Sequence, residues 1–396
     1  MKYSNLLVFS FLLFLSVVLH TQCSNKDGGE KKSPASAQAI VEEIGALPTQ
    51  VKTPADNPAS PNTIELGRAL FYDPILSGSK DVACATCHHP DYGYAESQEL
   101  SIGVNGSGLG ELREFQSPND IPFARRNAHS ILNTAFNGIN TANSYDPRQA
   151  PMFWDLRTKS LELQALEPIK TFEEMRGHAF PAALAVDSVV HRLRRIPEYQ
   201  ALFEQAFGGP QAITPQNLGK ALAAFERTLV ANNSRFDQYM RGDKEALSLA
   251  ELEGMALFKQ AGCAKCHNGP MFSDFKVHVL GVAENAKLQQ PDAGAQNTYA
   301  FRTPTLRNLR YTDPYMHNGT LKTLNSVLLF YEDLGGRESH NLLVPASQLD
   351  SLATQTKVNF RDIQTIVEFL NTLNDDSFDR KMPERVPSGL KVGGNI

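Results

Sequence analysis

The sequence predicts a mainly α chain built from two similar units, and three observations carry that prediction. The string C-x-x-C-H occurs twice, as Cys84-Ala85-Thr86-Cys87-His88 and as Cys263-Ala264-Lys265-Cys266-His267. The same G-x-A-L-F pattern precedes each string, at Gly67 to Phe71 and at Gly254 to Phe258, which reads as an internal duplication. Apolar residues recur at helical spacing, while strand signals are scarce.

The elements follow in order along the 396 residues, a length that suits two domains. Lys2 and the apolar run Leu6 to Leu19 have the charge and length of a secretory signal, too short for a comfortable membrane span. Residues 1–22 are therefore assigned to a signal peptide. Cys23 stands where such a peptide is cut, and a lipid anchor there is left open. Residues 23–62 are rich in Lys, Gly, Ser, Pro and Ala and read as a flexible tether, with one short helix around Gln38 to Leu47. The first domain, 63–243, starts with a helix from Thr63 that Asp73-Pro74 ends. Further helices are expected at Ala128 to Phe136, at Lys159 to Leu166 (stopped by Pro168), and at Asp187 to Phe207 with a break near Pro197. Thr214-Pro215 caps a longer one whose Leu218, Leu222, Phe225 and Leu229 share a face. The second domain, 244–380, opens on a capping box of Ser248 and Glu251. It continues through a long loop from Gly281 to Ala300, a helix around Thr323 to Tyr331 and a final helix from Asn359 to Leu373. Residues 381–396 are left as a tail.

The cysteines bound the chemistry. Four of the five lie in the two strings, and C-x-x-C-H is the attachment signal of a c-type haem. Two thiols form thioethers with the porphyrin and the adjacent His binds iron, so His88 and His267 are the proximal ligands of two haems. A four-cysteine zinc site is the competing reading. The adjacent His in both strings, the repeated helix before each and the export signal all favour haem. Attachment of c-type haem in bacteria takes place outside the cytoplasm, which agrees with export to the periplasm. The fold class is accordingly mainly α, two cytochrome-c-like haem domains from an internal duplication. A net charge of −5 argues against nucleic acid as a partner.

Several ordered motifs around these strings narrow the reading. They are Arg126-Asn127, Phe153-Trp154-Asp155-Leu156-Arg157, Gln164, Pro168 and Glu174-Met175, then Thr303 to Asn308 (T-P-x-L-R-N) and Pro314 to Gly319 (P-Y-x-H-N-G). From Thr63 to Leu373 the chain resembles the bacterial dihaem cytochrome c peroxidases and the related MauG proteins. The resemblance implies that peroxide reacts at the haem of His88, with Gln164, Pro168 and Glu174 over its open face. It implies that Trp154, the one tryptophan, lies between the haems as an electron path. It also implies a calcium ion held by the Asn127 side chain and the carbonyls of Thr312 and Pro314. A carboxylate in such a pocket suits the chemistry, because cleaving peroxide requires a proton moved from one oxygen to the other.

Two positions depart from the ordinary peroxidases. Those carry a His in the loop after the first haem that blocks its iron, whereas residues 90–128 here contain none. The first iron is therefore expected to be open without prior reduction. The peroxidases place a Met ligand of the second iron fourteen residues after the P-Y-x-H histidine; here that position, counted from His317, is Tyr331, as in MauG proteins. A phenolate would stabilise oxidised iron where Met would raise the potential. Met316 and Met271 remain competing ligands. The leading reading is an exported enzyme that reduces hydrogen peroxide with electrons from an outside donor, a small redox protein. The alternative is a MauG-like oxidase of protein Trp or Tyr residues through a high-valent dihaem state. A reading of another class is a non-catalytic electron carrier.

Overall fold

Two helix pairs that cross at a glycine organise the architecture. The computed structural model describes residues 44–396, so the expected signal peptide, Cys23 and most of the Gln38 to Leu47 helix lie outside the described residues. The helices are α1 (Pro61–Tyr72), α2 (Cys84–Cys87), α3 (Leu161–Gln164), α4 (Glu167–Lys170), α5 (Ala185–Leu193), α6 (Pro197–Phe207), α7 (Pro215–Glu226), α8 (Arg235–Met240), α9 (Leu249–Gln260), α10 (Leu324–Gly335) and α11 (Ile363–Asn371). Among the described residues, strands form only three short antiparallel pairs: β1 (Gly106–Ser107) with β2 (Glu114–Phe115), β3 (Pro151–Met152) with β4 (Thr158–Lys159), and β5 (Val277–Val279) with β6 (Ala300–Arg302).

In the first pair α1 crosses α7 so closely that a Cβ on Gly67 would lie 2.0 Å from the Ala221 carbonyl oxygen and 2.8 Å from Phe225 Cβ. In the second, α9 crosses α11, and a Cβ on Gly254 would lie 2.1 Å from the Thr365 carbonyl oxygen and 2.9 Å from Phe369 Cβ. The glycine of each G-x-A-L-F pattern therefore serves close approach. The aromatic of each pattern, Phe71 or Phe258, is buried beside the phenylalanine of the partner helix. One core gathers Leu66, Leu70, Phe71, Leu218, Leu222 and Phe225. The other gathers Met255, Phe258, Phe272, Ile366, Phe369 and Leu370.

The chain ends do not follow the expected boundaries. Ile44 and Leu47 are buried, Ile44 bridges to Gly269, and the Leu47 amide donates to Asp237. Asp237 is itself fully buried and paired with Arg307 at 2.8 Å. Residues from 44 onward are thus anchored, where a tether to residue 62 was expected, because their two large apolar side chains have a core to enter. Residues 44–47 are extended, with no helix. Phe236 of α8 packs in the second core although it precedes residue 243. Phe378 and Val386 return to the first core, so the expected tail is in fact packed.

Four helix expectations need correction. The helix expected at Lys159 to Leu166 is the single turn α3, because Lys159 pairs with Pro151 in the β3–β4 ladder. Residues 128–133 are irregular, and only a 3₁₀ turn, Thr134–Phe136, forms. There the backbone donors go to distant partners, Ile131 N to the Tyr94 carbonyl and Asn133 N to the Leu229 carbonyl, which leaves no local ladder. Pro168 does not stop a helix; it lies in the first turn of α4, where a missing N–H costs nothing. Helix α1 starts at Pro61, two residues early, because Ser60 and Thr63 form the capping box. The elements at α5, α6, α7, α9, α10 and α11 agree with the apolar periodicity, and the Ser248/Glu251 and Thr214 caps are in place.

Candidate active site

Each C-x-x-C-H string folds into a single tight turn that aims its histidine at a shared cavity. In the first, His88 N donates to the Cys84 carbonyl at 3.0 Å, and in the second His267 N donates to the Cys263 carbonyl at 2.9 Å. His88 Nδ1 lies 3.1 Å from the Tyr94 carbonyl oxygen, and His267 Nδ1 lies 2.9 Å from that of Phe272. A carbonyl only accepts, so a proton on Nδ1 satisfies both contacts and leaves Nε2 its lone pair; a second backbone carbonyl, of His129 and of Pro304 respectively, also lies in hydrogen-bonding reach of the two rings. Burial lowers both histidine pKa values, which keeps the rings neutral and ready to bind a metal.

The four cysteines are free thiols, and among the described residues they do not converge on one tetrahedral site. A zinc site is thereby disfavoured. Both strings instead line one cavity of about 540 Å³, far larger than the voids of a close-packed core and in the range of cofactor sites. Paired thiols beside a neutral histidine, opening on such a cavity, fit a covalently held haem at each string.

The expected polar groups line this cavity, and the field of Glu174 reaches Cys87 of the first string. Gln164 ends α3 and Glu174 sits in a π-helical turn, Phe172–Arg176; both side chains line the cavity, as does Pro168. The Glu174 backbone is held by its carbonyl, which accepts from Val104 N at 3.1 Å. The strand of loop that makes this contact passes so close that a Cβ on Gly103 would lie 2.1 Å from the Glu174 oxygen. Among the described residues the Glu174 carboxyl itself has no hydrogen-bond partner. Burial, with the charge of Glu173 adding, pushes its pKa up to about 7, against the opposing pull of Arg157. A carboxyl poised there can take or give a proton near neutrality.

Trp154 also lines the cavity. Its Nε1 donates to the Asn127 carbonyl at 3.0 Å, its ring stacks on His129 with centroids 4.0 Å apart, and its edge meets His317 at 6.3 Å. His129 is so engaged, with Nε2 3.3 Å from an Arg302 nitrogen, that it is no candidate for the open side of the first iron. Tyr331 of α10 lines the cavity near Cys263 and Cys266, and its hydroxyl has no hydrogen-bond partner among the described residues. Burial and these sulfurs push its pKa well up. Met316 and Met271 line the same cavity, so all three ligand candidates are brought there. Asn127, Thr312 and Pro314 also line it; the Asn127 amide nitrogen donates to the Gln98 carbonyl at 2.7 Å.

Sequence reasoning missed several charged groups. Asp292 is one: it is buried and pairs with Arg126 of the Arg126-Asn127 motif, which also pairs with Asp155 at 2.8 Å and so ties the Trp154 turn to the long loop before β6. Glu96 and Glu226 are buried acids whose fields reach Cys87 and Cys84, and each has one oxygen without a partner. Burial raises them to about 7 and about 8. His278 sits between Asp274 and Asp350, at 3.1 and 2.9 Å, and the Asp274 bond leads in raising its pKa to about 11. What makes them matter is burial and partners such as Asp350 and Arg126 that are remote in sequence; only the Asp274–His278 pair, four residues apart, is local.

A helical chain that presents two C-x-x-C-H turns to one cavity, with an unpartnered acid in its wall, defines a class: the c-type dihaem oxidoreductases. The model of the di-haem cytochrome c peroxidase family matches residues 61–245. The methylamine utilization protein MauG of Methylorubrum extorquens is 34% identical over 88% of this chain and 90% of its own length. The cytochrome c551 peroxidase of Nitrosomonas europaea is 32% identical over 84% and 86%. Among solved structures, a MauG-like protein associated with microbial copper homeostasis superimposes with a TM-score of 0.66 at 25% identity, over 84% of this chain and 95% of that one. The chain belongs to the dihaem cytochrome c peroxidase/MauG family, and it is a haem oxidoreductase.

Proposed function

We propose that this protein reduces hydrogen peroxide to water at the first site, with electrons from an external donor. The observation that carries this reading is Glu174, an unpartnered carboxyl facing the cavity with its pKa at about 7. When bound, the haem at His88 supplies the iron at which peroxide is reduced. The Glu174 carboxylate takes the proton from one peroxide oxygen and returns it to the other, and the Gln164 amide orients the peroxide by hydrogen bonding. Residues 90–128 hold no histidine, so no imidazole of that loop closes the open side. The role of Trp154 as an electron path between the two sites is supported by its place in the wall of the cavity that both strings line. Relatives named both as peroxidases and as MauG leave two donors in play, a small redox protein or aromatic residues of a protein substrate. The placement of Tyr331 beside Cys263 and Cys266 favours the second.

The two glycine-crossed helix pairs support an origin by internal duplication, giving two cytochrome-c-like domains. Calcium held by Asn127 and the Thr312 and Pro314 carbonyls is supported by the shared position of the three in the cavity wall. Export to the periplasm is supported by the apolar run Leu6 to Leu19.

The test is to mix the fully oxidised protein with hydrogen peroxide and follow the haem spectrum. An immediate change without prior reduction is expected. A requirement for half-reduction would overturn the open first site.

A further inference from the structure

A chain of aromatic rings leads from the first site to the surface without passing through Trp154. His88 Nδ1 rests on the carbonyl of Tyr94. The Tyr94 ring, fully buried, meets Phe71 of the cavity wall at 6.1 Å and Phe378 at 6.1 Å on its other side. Phe378 meets Tyr311 edge-on at 5.7 Å. Tyr311 also packs directly on the loop that follows His88. A Cβ on Gly93 would lie 2.6 Å from Tyr311 Cβ, so only glycine fits there, and Gly93 is in the left-handed region at φ 58°. The Tyr311 side chain is half-exposed.

The two tyrosines differ in what holds their hydroxyls. The Tyr94 hydroxyl donates to the Asp379 backbone carbonyl at 2.8 Å and otherwise contacts the Tyr72 hydroxyl. Neither group is a base, so a proton cannot leave Tyr94, and removing an electron from it alone would strand a buried positive charge. The Tyr311 hydroxyl donates to the Asp376 carboxylate. Asp376 is ion-paired with Arg310 at 3.1 Å, and Arg380 donates to the same phenol oxygen at 2.7 Å. Electron and proton can therefore leave Tyr311 together, the proton crossing one short charge-assisted bond. An oxidising equivalent entering the chain is held most cheaply at its outer end.

We propose that Tyr311 is a redox-active surface tyrosine through which small one-electron donors, phenols or ascorbate, reduce the first site by way of Phe378 and Tyr94. In each turn Tyr311 gives one electron inward and its phenolic proton to Asp376. The outside donor then returns one electron to the ring, and Asp376 returns the proton. Two turns supply the two electrons that one hydrogen peroxide, with two protons from solvent, takes to become two waters. The inference rests on the peroxide reading above.

Rapid-freeze EPR of the haem-loaded protein mixed with peroxide in the absence of donor tests it. The wild type should show a neutral tyrosyl radical, assigned by ring-deuterated tyrosine and quenched by ascorbate. Tyr311→Phe, which keeps the ring contacts, should lose that signal at equal haem content. Asp376→Asn should slow its appearance at least tenfold. An undiminished radical in Tyr311→Phe would overturn the route. So would a wild type whose haem spectrum responds to peroxide without any tyrosyl radical. A haem spectrum that does not respond to peroxide at all would bring down the peroxidase reading and the route with it.

Discussion

The two C-x-x-C-H units share a scaffold and differ in charge. Each has a helix crossing at glycine, a one-turn C-x-x-C-H and a histidine whose Nδ1 is fixed by a backbone carbonyl a few residues on. Around the first, however, stand three acids raised toward neutrality: Glu174 over the cavity, Glu96 beside Cys87 and Glu226 beside Cys84. Around the second stand Tyr331 and a histidine, His278, held cationic by two aspartates. Acids near neutrality exchange protons, while a paired His⁺ is a fixed charge. One scaffold thus carries a site equipped for proton-coupled chemistry and a site equipped to hold charge.

The largest expected effect tests that asymmetry directly. Glu174→Gln keeps the size and removes the proton carrier, so the peroxide reaction should slow by about 10²- to 10⁴-fold at unchanged haem content. Stopped-flow kinetics measure it, and an unaltered rate would remove Glu174 from catalysis. Its counterpart on the other side, Tyr331→Phe, should alter the spectrum of one haem only. No change there would give the second iron to Met316 or Met271.

The pH dependence comes next. Glu174 must be a carboxylate to accept the proton, and burial raises its pKa to about 7. The rate constant for peroxide should therefore climb as pH rises through about 7 and level off above it, and the Gln variant should lack that limb. A wild-type profile flat from pH 5 to 9 would count against Glu174 as the base.

Much of this comparison was legible in the sequence. The doubled C-x-x-C-H and G-x-A-L-F strings marked both units, and apolar spacing located the helices that form the crossings. Glu174, Gln164 and Trp154, each ten residues from the next, drew meaning from a resemblance and not from spacing; the structure brings them to one cavity through two short helices and a π turn. Glu96, Glu226 and His278 were illegible, since what makes them matter is burial and partners such as Asp350, distant in sequence. The run 128–133 is irregular where a helix is expected, because its donors bond across the fold.

If the scaffolds are equivalent, the same glycine substitution should hurt both alike. Gly67→Ala and Gly254→Ala each push a methyl into a backbone carbonyl of the crossing helix, at 2.0 and 2.1 Å. Each should cost about 1–3 kcal/mol, the usual range for overpacking. Thermal unfolding with haem content held equal would show it. A loss at one site only would break the equivalence.

The smallest effects lie at the third position of each string, where the units part. Thr86 is fully buried, accepts from Ala83 N at 2.9 Å and donates to the Gly393 carbonyl at 2.8 Å, which fastens the chain's last residues to the first string. Thr86→Val keeps the shape and leaves both backbone groups without a partner, at a cost of about 1–3 kcal/mol. The equivalent Lys265 reaches only Gln355 Oε1 at 3.1 Å on an exposed face. Lys265→Ala should change stability by no more than about 0.5 kcal/mol. Paired urea melts would separate the two. Equal losses would mean that the C-terminal segment does not fasten the first unit, and that the third position acts in both strings through the turn alone.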